Sequence, residues 1–516
     1  MNQEKAHIPL TVRLYVTAFV GGLVSLALEL AAARLLAPTF GTSELVWSAI
    51  IGLILLYLSA GYVIGGRWAD RSPYRATLYT LLVAAGLTIS VIPFIAQPAL
   101  RLAAQGMLQW NVGQVAGPFV AVLILFAVPV TLLACISPFV IRLGMRDVRA
   151  SGVTAGRVYA VSTIGSFLGT FLPNLVLIPL IGTRRTFLLL ALITAATGIW
   201  GLWRANRQRF WLLIWTLPLI LGLLLLEPGA IKPQPGLIYE EESVHNLIQV
   251  VENERGTRFL LLNEGQGVHS MDVPDGVLTG GTWDYFLIAP YFNPAPHLPT
   301  DVDSLLVIGL AAGTVPDQYT EIYGRIPIDG VEIDPAIIEV GREYFGMRQP
   351  NLDAYAADGR AFLQRTDERY DVVAVDAYRL PYIPWHLTTV EFFAEIAAHL
   401  TDEGVVAINV GHTPDDWRLV KAMVATMEQV FPTTHVISVP KTFNAIVVAT
   451  SQPTTAQNLE ANLTHLDDAR LRTVAERVTS NLVEVEPRPP IFTDDRAPVE
   501  LLTDALVLNY VLGVNP

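Results

Sequence analysis

The sequence predicts a multi-span α-helical membrane domain, then a small β-rich domain, then an α/β Rossmann-like domain. Three observations lead to this fold class. The apolar residues of the 516-residue chain are concentrated before residue 228. Residues 237 to 297 alternate between apolar and polar, which is typical of strands. Residues 304 to 376 contain short β-branched runs that end in Gly or an acidic residue, as buried parallel strands do.

The composition excludes two classes of protein. The chain is 52% hydrophobic and 16% charged, which is too apolar for an ordinary soluble protein. Its formal net charge of -13 argues against a surface that binds nucleic acid, so we expect no nucleic-acid partner. The single cysteine, Cys135, lies in an apolar run and cannot form a disulfide within the chain.

The membrane domain is predicted to cover residues 1–228 with about seven helices. A helix that crosses a bilayer needs roughly 20 apolar residues, and most of the apolar segments reach this length. The lipid bilayer is therefore an expected partner, and the protein is expected to be a multi-pass protein of the cell membrane. The segments lie near residues 11–36, 43–68, 76–100, 114–141, 153–180, 186–203 and 209–226.

The membrane face of the C-terminal half stays open. Within the helical half, most of the lysines and arginines lie in the N-terminal flank and in the loops after the second, fourth and sixth segments, so the positive-inside rule places these regions in the cytoplasm. Seven helices then leave the C-terminal half outside the cell. A cytosolic metabolite as substrate would instead require this half to face the cytosol.

Three features of the helices go beyond apolar composition. Glu29 and Arg34 lie near a helix end and are either functional, a structural pair, or side chains that snorkel to the membrane surface. Gly165 and Gly169 have the small-xxx-small spacing that lets helices approach closely. The stretch Gly65-Gly-Arg-Trp-Ala-Asp-Arg71 resembles the loop between helices two and three of major-facilitator transporters, which keeps a membrane carrier as an alternative.

A small β-rich domain is predicted at residues 237–300, after the Pro/Gly linker 227–236. Strands are expected at 246–252 and 258–262, with a hairpin turn between them. Helical character is expected around Trp283 to Tyr291.

The α/β domain is predicted to cover residues 301–516. Its last two strands, at 435–439 and 444–450, form an antiparallel hairpin, which favours the methyltransferase-type variant of the nucleotide-binding fold. Between Asp376 and this hairpin we expect a helix at 389–400, a strand at 404–409 and a helix at 417–430.

The strand ends of this domain carry the candidate chemistry. Gly309-x-Ala311-x-Gly313 lets the backbone approach a ligand closely. Glu332, at the end of the next strand, is where an acid accepts both hydroxyls of a ribose. Asp358-Gly359 follows the third strand, where a carboxylate can accept an adenine amino group. Neither a third, phosphate-binding glycine nor a basic residue follows. Adenosine without a pyrophosphate is therefore favoured over NAD as the ligand.

These motifs carry a resemblance to a known family. The order Gly-x-Ala-x-Gly, Val331-Glu-Ile-Asp-Pro335, Ala357-Asp-Gly359 and Tyr370-Asp-Val-Val-Ala-Val-Asp376 resembles the spermidine synthase family of polyamine aminopropyltransferases. Residues 376–389 and 493–500 resemble its membrane-fused branch. The family reaction implied is attack of a neutral amine on the methylene beside the sulfonium of decarboxylated S-adenosylmethionine, which releases methylthioadenosine.

The resemblance also implies roles for individual residues and partners. A small-molecule amine or polyamine is the implied substrate, no metal is implied, and a homodimer is implied because soluble members form dimers or tetramers. The implied catalytic residues are Asp376 and Tyr378. The implied cosubstrate-binding residues are Asn246, Gly309, Ala311, Gly313, Glu332, Ile333, Asp358 and Gly359. The residues implied to line the amine side are His269, Asp284, Tyr285 and Arg379.

Two departures from the family pattern leave alternatives open. The glycine loop of the family usually carries an Asp where this chain has Ala312, and a second Asp follows the catalytic one where this chain has Arg379. A carboxylate on the cosubstrate would meet less repulsion here, so intact S-adenosylmethionine is also a candidate. The alternatives are a lyase, cyclase or methyltransferase that uses it, and a nucleoside-binding regulatory domain coupled to a membrane carrier.

Overall fold

The chain divides into two compact units, which we describe separately. The first comprises Met1–Pro233 and Glu242–Leu247, and the second comprises Gln234–Glu241 and Ile248–Pro516. The segment Glu242–Leu247 thus groups with the helices, whereas the sequence assigned it to the small β-rich domain. Residues 227 and 228 of the predicted linker lie outside the described residues. The computed structural model describes residues 10–41, 44–110, 116–145, 151–226, 229–263, 265, 267–274, 276–379 and 381–512.

The first unit is built from helices whose side chains are apolar almost all round, as expected of helices that do not face water. A five-residue π-helix, Pro173–Leu177, joins two of them. The helices are α1 Leu10–Phe40, α2 Glu44–Arg71, α3 Arg75–Trp110, α4 Ala116–Ala134, α5 Ile136–Gly144, α6 Ser151–Leu172, α7 Ile178–Ala205, α8 Arg207–Leu213 and α9 Thr216–Leu225.

Six helical stretches in the described residues are long and apolar enough to cross a membrane, by length and composition. One of them, Ser151–Ala205, has 55 residues and joins α6 to α7. At 1.5 Å per residue it would be about 80 Å long, far more than the roughly 30 Å of a bilayer core. Its backbone turns at Gly182, where φ is 79°, a conformation that glycine adopts without strain. The fifth and sixth predicted segments are the two arms of this stretch.

Close packing between α1 and α6 depends on glycine. A methyl group on Gly165 would overlap the carbonyl oxygen of Phe19, and one on Gly169 would overlap that of Leu23. The small-xxx-small spacing therefore brings the two backbones into direct contact, as the sequence predicts.

Arg34 is held by backbone within the first unit. Its guanidinium donates to the carbonyl oxygen of Ser243 at 2.6 Å and to that of His245 at 3.2 Å. Thr183 donates from both its amide and its hydroxyl to the carboxylate of Glu242. These bonds secure the segment Glu242–Leu247 and favour the structural interpretation of Arg34.

The second unit begins with a four-stranded antiparallel sheet in the order β1-β2-β3-β4. The predicted hairpin at 246–262 is β2 and β3, which pair in register from Ile248 with Leu262 to Glu252 with Arg258. The helical character near Trp283 is an eleven-residue 3₁₀ helix, Thr282–Phe292. The strands are β1 Leu237–Glu242, β2 Leu247–Glu252, β3 Arg258–Leu262 and β4 Val268–Asp272.

An eight-stranded sheet follows, in the order β12-β10-β11-β9-β8-β5-β6-β7. Strands β5 to β9 pair in parallel, whereas β10, β11 and β12 are antiparallel. The closing antiparallel hairpin confirms the methyltransferase-type variant. The strands are β5 Leu305–Ile308, β6 Ile328–Glu332, β7 Leu352–Ala356, β8 Tyr370–Val375, β9 Leu400–Gly411, β10 Thr433–Ser438, β11 Asn444–Thr450 and β12 Leu482–Val483.

Helices cover both faces of this sheet, so its central strands are buried on both sides. Leu306 and Ile308 of β5 belong to one apolar cluster, and their neighbours Leu305 and Val307 belong to another. This double burial explains why β5 is an uninterrupted apolar run. The helices are α10 Thr314–Tyr323, α11 Pro335–Tyr344, α12 Gly359–Leu363, α13 Val390–Ala398, α14 Arg418–Met427, α15 Ala456–Leu463, α16 Ala469–Ser480 and α17 Val499–Leu512.

The strand order places a switch point beside β5. The chain runs from β5 to β6 and β7 on one side, then returns to β8 and β9 on the other. In open α/β sheets the ligand crevice lies outside the carboxyl ends of the strands at such a point. The candidate residues therefore lie where this topology favours a ligand.

Candidate active site

The loop between β5 and α10 is shaped by three residues with positive φ. Gly309 has a φ of 91°, Ala311 of 47° and Gly313 of 90°. A Cβ on Gly309 would lie 2.6 Å from the carbonyl oxygen of Asp376 on the neighbouring strand end. Glycine at position 309 is therefore required by space as well as by conformation. Ala311 is an alanine in the left-handed region, which costs on the order of 1–2 kcal/mol.

Glu332 ends β6 and is 8% exposed. Its carboxylate accepts hydrogen bonds from the amide of Ala311 at 3.0 Å and from that of Asp334 at 3.2 Å. Burial raises its pKa to about 7, although these amides oppose the shift. The amide of Ile333 also hydrogen bonds to this carboxylate, and the remaining acceptor capacity is available to hydroxyl groups of a ligand. The neighbouring Ile333 side chain is 50% exposed and offers an apolar surface.

Asp358 follows β7 and caps α12. Its carboxylate accepts from the amide of Ala361 at 3.0 Å and contacts Nε2 of His386 at 2.9 Å. Partial burial raises its pKa, but the hydrogen bonds from Ala361 and His386 outweigh this and lower the pKa below the usual value. A side chain on Gly359 would overlap Ile308, so glycine lets α12 pack directly against β5.

Asp376 follows β8 and is half-buried. One carboxylate oxygen accepts from Nδ2 of Asn409 at 2.9 Å, and Trp283 also hydrogen bonds to the carboxylate. Burial raises the pKa of Asp376 to about 6, against the opposing effect of these two donors. At pH 7 most of this carboxylate is ionised, and it can both accept and release a proton near neutral pH.

Asn409 links Asp376 to Tyr378. The hydroxyl of Tyr378 donates to the backbone oxygen of Asn409 at 3.1 Å. Burial raises the pKa of Tyr378 far above its usual value, so the phenol is neutral. Oδ1 of Asn409 is buried and has no hydrogen-bond partner among the described residues. The sequence analysis missed Asn409, although a polar residue within the apolar strand β9 was a signal for it.

Asp284 is held by hydrogen bonds within the protein. It is fully buried, and its carboxylate accepts from the amide and hydroxyl of Thr279, the amide of Gly280 and Nε2 of Gln318, at 2.8 to 2.9 Å. Four donors match the roughly four lone-pair sites of a carboxylate. Nη1 of Arg477 also lies 3.8 Å from this carboxylate, so Asp284 anchors the loop at residues 279–281, and its role on the amine side stays a prediction.

The other three residues expected on the amine side differ in environment. Burial lowers the pKa of His269 to about 4, and its Nε2 is buried without a partner among the described residues. Tyr285 lies in the 3₁₀ helix and is 3% exposed. Arg379 is exposed, and its backbone pairs with that of Tyr382. Asn246 lies in the Glu242–Leu247 segment of the first unit.

Arg360 joins the two stretches that resemble the membrane-fused branch. Its guanidinium binds the carboxylates of Glu395 and Asp494 at 2.7 to 3.1 Å. The hydroxyl of Thr389 also donates to Asp494, at 2.8 Å. Arg360 further donates to the backbone oxygen of His386 at 3.3 Å. Residues 376–389 are thereby tied to residues 493–496 across more than a hundred positions of sequence, which no local pattern predicts.

The carboxylates follow one another along the edge of the sheet. The strand order β8, β5, β6, β7 puts Asp376, Gly309, Glu332 and Asp358 in that sequence. Neighbouring strands are about 4.8 Å apart, so the outer two strand ends are separated by roughly 14 Å. Among the described residues, no group of three or more His, Cys, Asp or Glu is arranged to hold a metal ion. The fold and the acidic residues at its strand ends together define the class of this domain. It is an α/β domain of the methyltransferase type with carboxylates at the carboxyl ends of its parallel strands.

Comparison with known proteins confirms the family resemblance. Residues 319–461 match the model of the spermine/spermidine synthase domain. The chain is 31% identical over 287 residues to a protein of Bifidobacterium longum described as a probable polyamine aminopropyl transferase. That alignment covers 52% of this chain and 63% of the relative. The C-terminal half of the chain is thus similar to proteins of the spermidine synthase family.

Two further proteins are similar to the same half. The polyamine aminopropyltransferase of Vibrio vulnificus is 29% identical over 304 residues, covering 54% of this chain and 92% of that protein. The crystal structure of a probable spermidine synthase from Corynebacterium glutamicum is 20% identical and covers 50% of this chain and all of that one, with a TM-score of 0.39. The expectation of an aminopropyltransferase-like enzyme agrees with the names of the Bifidobacterium longum and Vibrio vulnificus proteins.

Proposed function

We propose that the chain is a membrane-anchored, spermidine synthase-like transferase. It uses decarboxylated S-adenosylmethionine as cosubstrate and releases methylthioadenosine. The observation that carries the proposal is the order of Asp376, Glu332 and Asp358 along neighbouring strand ends of a family domain. The helical unit anchors the enzyme, which its six long apolar helices support.

The nucleoside occupies the side of the crevice formed by β6 and β7. Glu332 accepts the two ribose hydroxyls, because its buried carboxylate has acceptor capacity left after its bonds to backbone amides. Asp358 accepts the adenine amino group, and its low pKa keeps it ionised. The exposed side chain of Ile333 packs against the adenine ring. The sulfonium then lies near Gly309, where no side chain covers the backbone.

The amine reacts beside Asp376. An alkylammonium has a pKa of about 10.4, so a neutral amine at pH 7 costs roughly 5 kcal/mol. Desolvation in the crevice and proton transfer to Asp376 supply this. The nitrogen lone pair attacks the methylene carbon, the carbon–sulfur bond breaks, and its electron pair stays on sulfur as a neutral thioether. The ring of Tyr378 supports the cationic amine before it loses its proton.

The test is a comparison of cosubstrates. Purified full-length protein is incubated separately with S-adenosylmethionine and with its decarboxylated form, each with and without putrescine, and the products are identified by mass spectrometry. The proposal expects methylthioadenosine and an aminopropylated amine only when the decarboxylated form and an amine are both present. Binding of adenosine thioethers without turnover of either form would contradict it and favour a regulatory domain.

Intact S-adenosylmethionine is a second candidate, supported by two residues. Ala312 is 2% exposed and packs in an apolar cluster with Ile248 and Ile337, so no carboxylate stands at that position of the loop. Arg379 is an exposed cation three residues after Asp376. Methylthioadenosine from the intact form would indicate aminocarboxypropyl transfer or cyclisation, and S-adenosylhomocysteine would indicate methyl transfer.

A further inference from the structure

The helical unit contains a cavity of about 290 Å³ that the transferase chemistry does not use. It lies between the end of α2, the first turns of α3, the end of α4 and the start of α8. Taking about 30 Å³ per water, it has room for roughly ten water molecules. It is lined by Trp68, Ser72, Thr77, Thr80, Leu81, Ala84, Leu132 and Arg209.

The polar side of this cavity is suited to an anion. Its lining has one guanidinium, that of Arg209, and three hydroxyl groups. The guanidinium donates to the hydroxyl of Thr80 at 3.3 Å, its one side-chain hydrogen bond in the described part of the chain. The hydroxyls of Ser72 and Thr77 lie 2.9 Å apart. Most of the five N–H donors of Arg209 therefore stay available for a ligand.

Negative charge on the protein does not compete for this guanidinium. No carboxylate is among the residues that line the cavity. Asp70 is the acidic residue nearest in sequence to Trp68 and Ser72 of the lining. Its Oδ1 forms an ion pair with Nε of Arg142 at 3.0 Å. Thr77 lies in the first turn of α3, where the helix dipole favours negative charge.

The other side of the cavity is apolar. Leu81, Ala84 and Leu132 line it, together with the ring of Trp68, which packs edge-on against Phe139. A hydrated inorganic ion needs only the polar side, whereas an amphipathic molecule would use both. Trp68 belongs to the stretch Gly65–Arg71, at the end of α2, which resembles a loop of major-facilitator transporters.

We propose that this cavity binds a phosphate-bearing anion, with Arg209 as its main ligand. The hydroxyl of Thr80, which donates to the backbone oxygen of Ala76 and accepts from Arg209, positions the guanidinium, and the hydroxyl pair of Ser72 and Thr77 supplies a secondary donor. A planar guanidinium matches the oxygens of a phosphate in pairs, which an ammonium group does not. The phosphate is either the headgroup of an anionic lipid or free phosphate. The proposal rests on the helical unit alone and is independent of the transferase activity.

Thermal unfolding of detergent-purified full-length protein tests the proposal with two probes. One is inorganic phosphate against chloride at equal ionic strength, and the other is a short-chain phosphatidylglycerol against an uncharged alkyl glucoside. We expect a saturable rise in the unfolding temperature of the wild type with a phosphate-bearing probe. Phosphatidylglycerol binding at least tenfold more tightly than phosphate would identify a lipid headgroup, and equal affinities would identify free phosphate.

Variants assign the effect to the cavity. Loss of a charge-assisted hydrogen bond weakens binding by about tenfold or more, which we expect for Arg209→Gln. Thr80→Val keeps the shape of its side chain and should weaken binding by less. Arg204→Gln is the matched control, because Arg204 is an exposed arginine that does not line the cavity. Equal affinity in wild type and both cavity variants, or no saturable effect of either probe, would overturn the proposal.

Discussion

At the scale of the residue, Asn409 sets the acidity of the proposed base. It donates to Asp376 at 2.9 Å while its backbone oxygen accepts from Tyr378 at 3.1 Å. Burial raises the pKa of Asp376 to about 6, and the hydrogen bonds from Asn409 and Trp283 keep this pKa from rising further. Activity requires the ionised carboxylate, so kcat/KM should fall as the pH drops through about 6.

Removing the amide of Asn409 should move this limb of the pH profile. Asn409→Leu keeps a similar volume but deletes the donor that lowers the pKa of Asp376. The acid limb of kcat/KM is therefore expected at higher pH, while Asn444→Leu on β11, which has no hydrogen bond to the carboxylate, leaves it in place. An acid limb that stays fixed while the rate falls would assign Asn409 a purely structural role.

Glu332 tests the proposed placement of the ribose. Glu332→Gln keeps the size of the side chain but weakens the acceptor, so we expect methylthioadenosine to bind about tenfold to a hundredfold more weakly. Preference among amines should change little, because they react two strand positions away. Isothermal calorimetry measures this, with Glu339→Gln on the surface of α11 as control. Unchanged affinity would refute the placement.

At the scale of the element, the loop after β5 depends on close backbone approach. Gly309 and Gly324 have similar positive φ values, 91° and 84°, but a Cβ meets Asp376 and Ala377 at position 309 and nothing within 4 Å at position 324. A side chain would therefore strain the backbone at both positions, and at position 309 it would also overlap neighbouring atoms. Their comparison separates strain from steric overlap.

We expect Gly324→Ala to lower stability by about 1–3 kcal/mol, because its φ of 84° and ψ of -163° are accessible essentially only to glycine, and to leave activity intact. Gly309→Ala also places an alanine at positive φ and in addition pushes the loop away from the end of β8, so activity should be lost. Thermal unfolding and turnover, measured on the same samples, distinguish the two effects. Full activity in Gly309→Ala would show that the loop does not need this approach.

At the scale of the whole molecule, local patterns predicted the parts and missed the connections between them. The β-branched runs, the hairpin at β2 and β3 and the antiparallel strands β10 and β11 follow from periodicity and turn residues. Glu332, Asp358 and Asp376 could be found because they end strands. His386 on Asp358, the Arg360 cluster and Asp284 as a loop anchor depend on contacts between distant residues, which periodicity does not encode.

The helical unit makes a prediction for the intact chain. Its helices are long and apolar enough to cross a bilayer, so the protein should remain in the membrane pellet after alkaline carbonate treatment and be released by detergent. Immunoblots of the two fractions measure this, with a peripheral membrane protein as control. Release by carbonate alone would mean that the helices do not span the bilayer.

The most direct measurement of the central claim is methylthioadenosine release by wild type, Asp376→Asn and Asp353→Asn. Asp353 lies on β7 and is exposed, so it controls for the loss of a carboxylate. With decarboxylated S-adenosylmethionine and an amine, we predict that Asp376→Asn lowers the rate by about 10² to 10⁴ and that Asp353→Asn matches the wild type. Equal rates in all three proteins would contradict the assignment of Asp376 as the residue that accepts the proton of the amine.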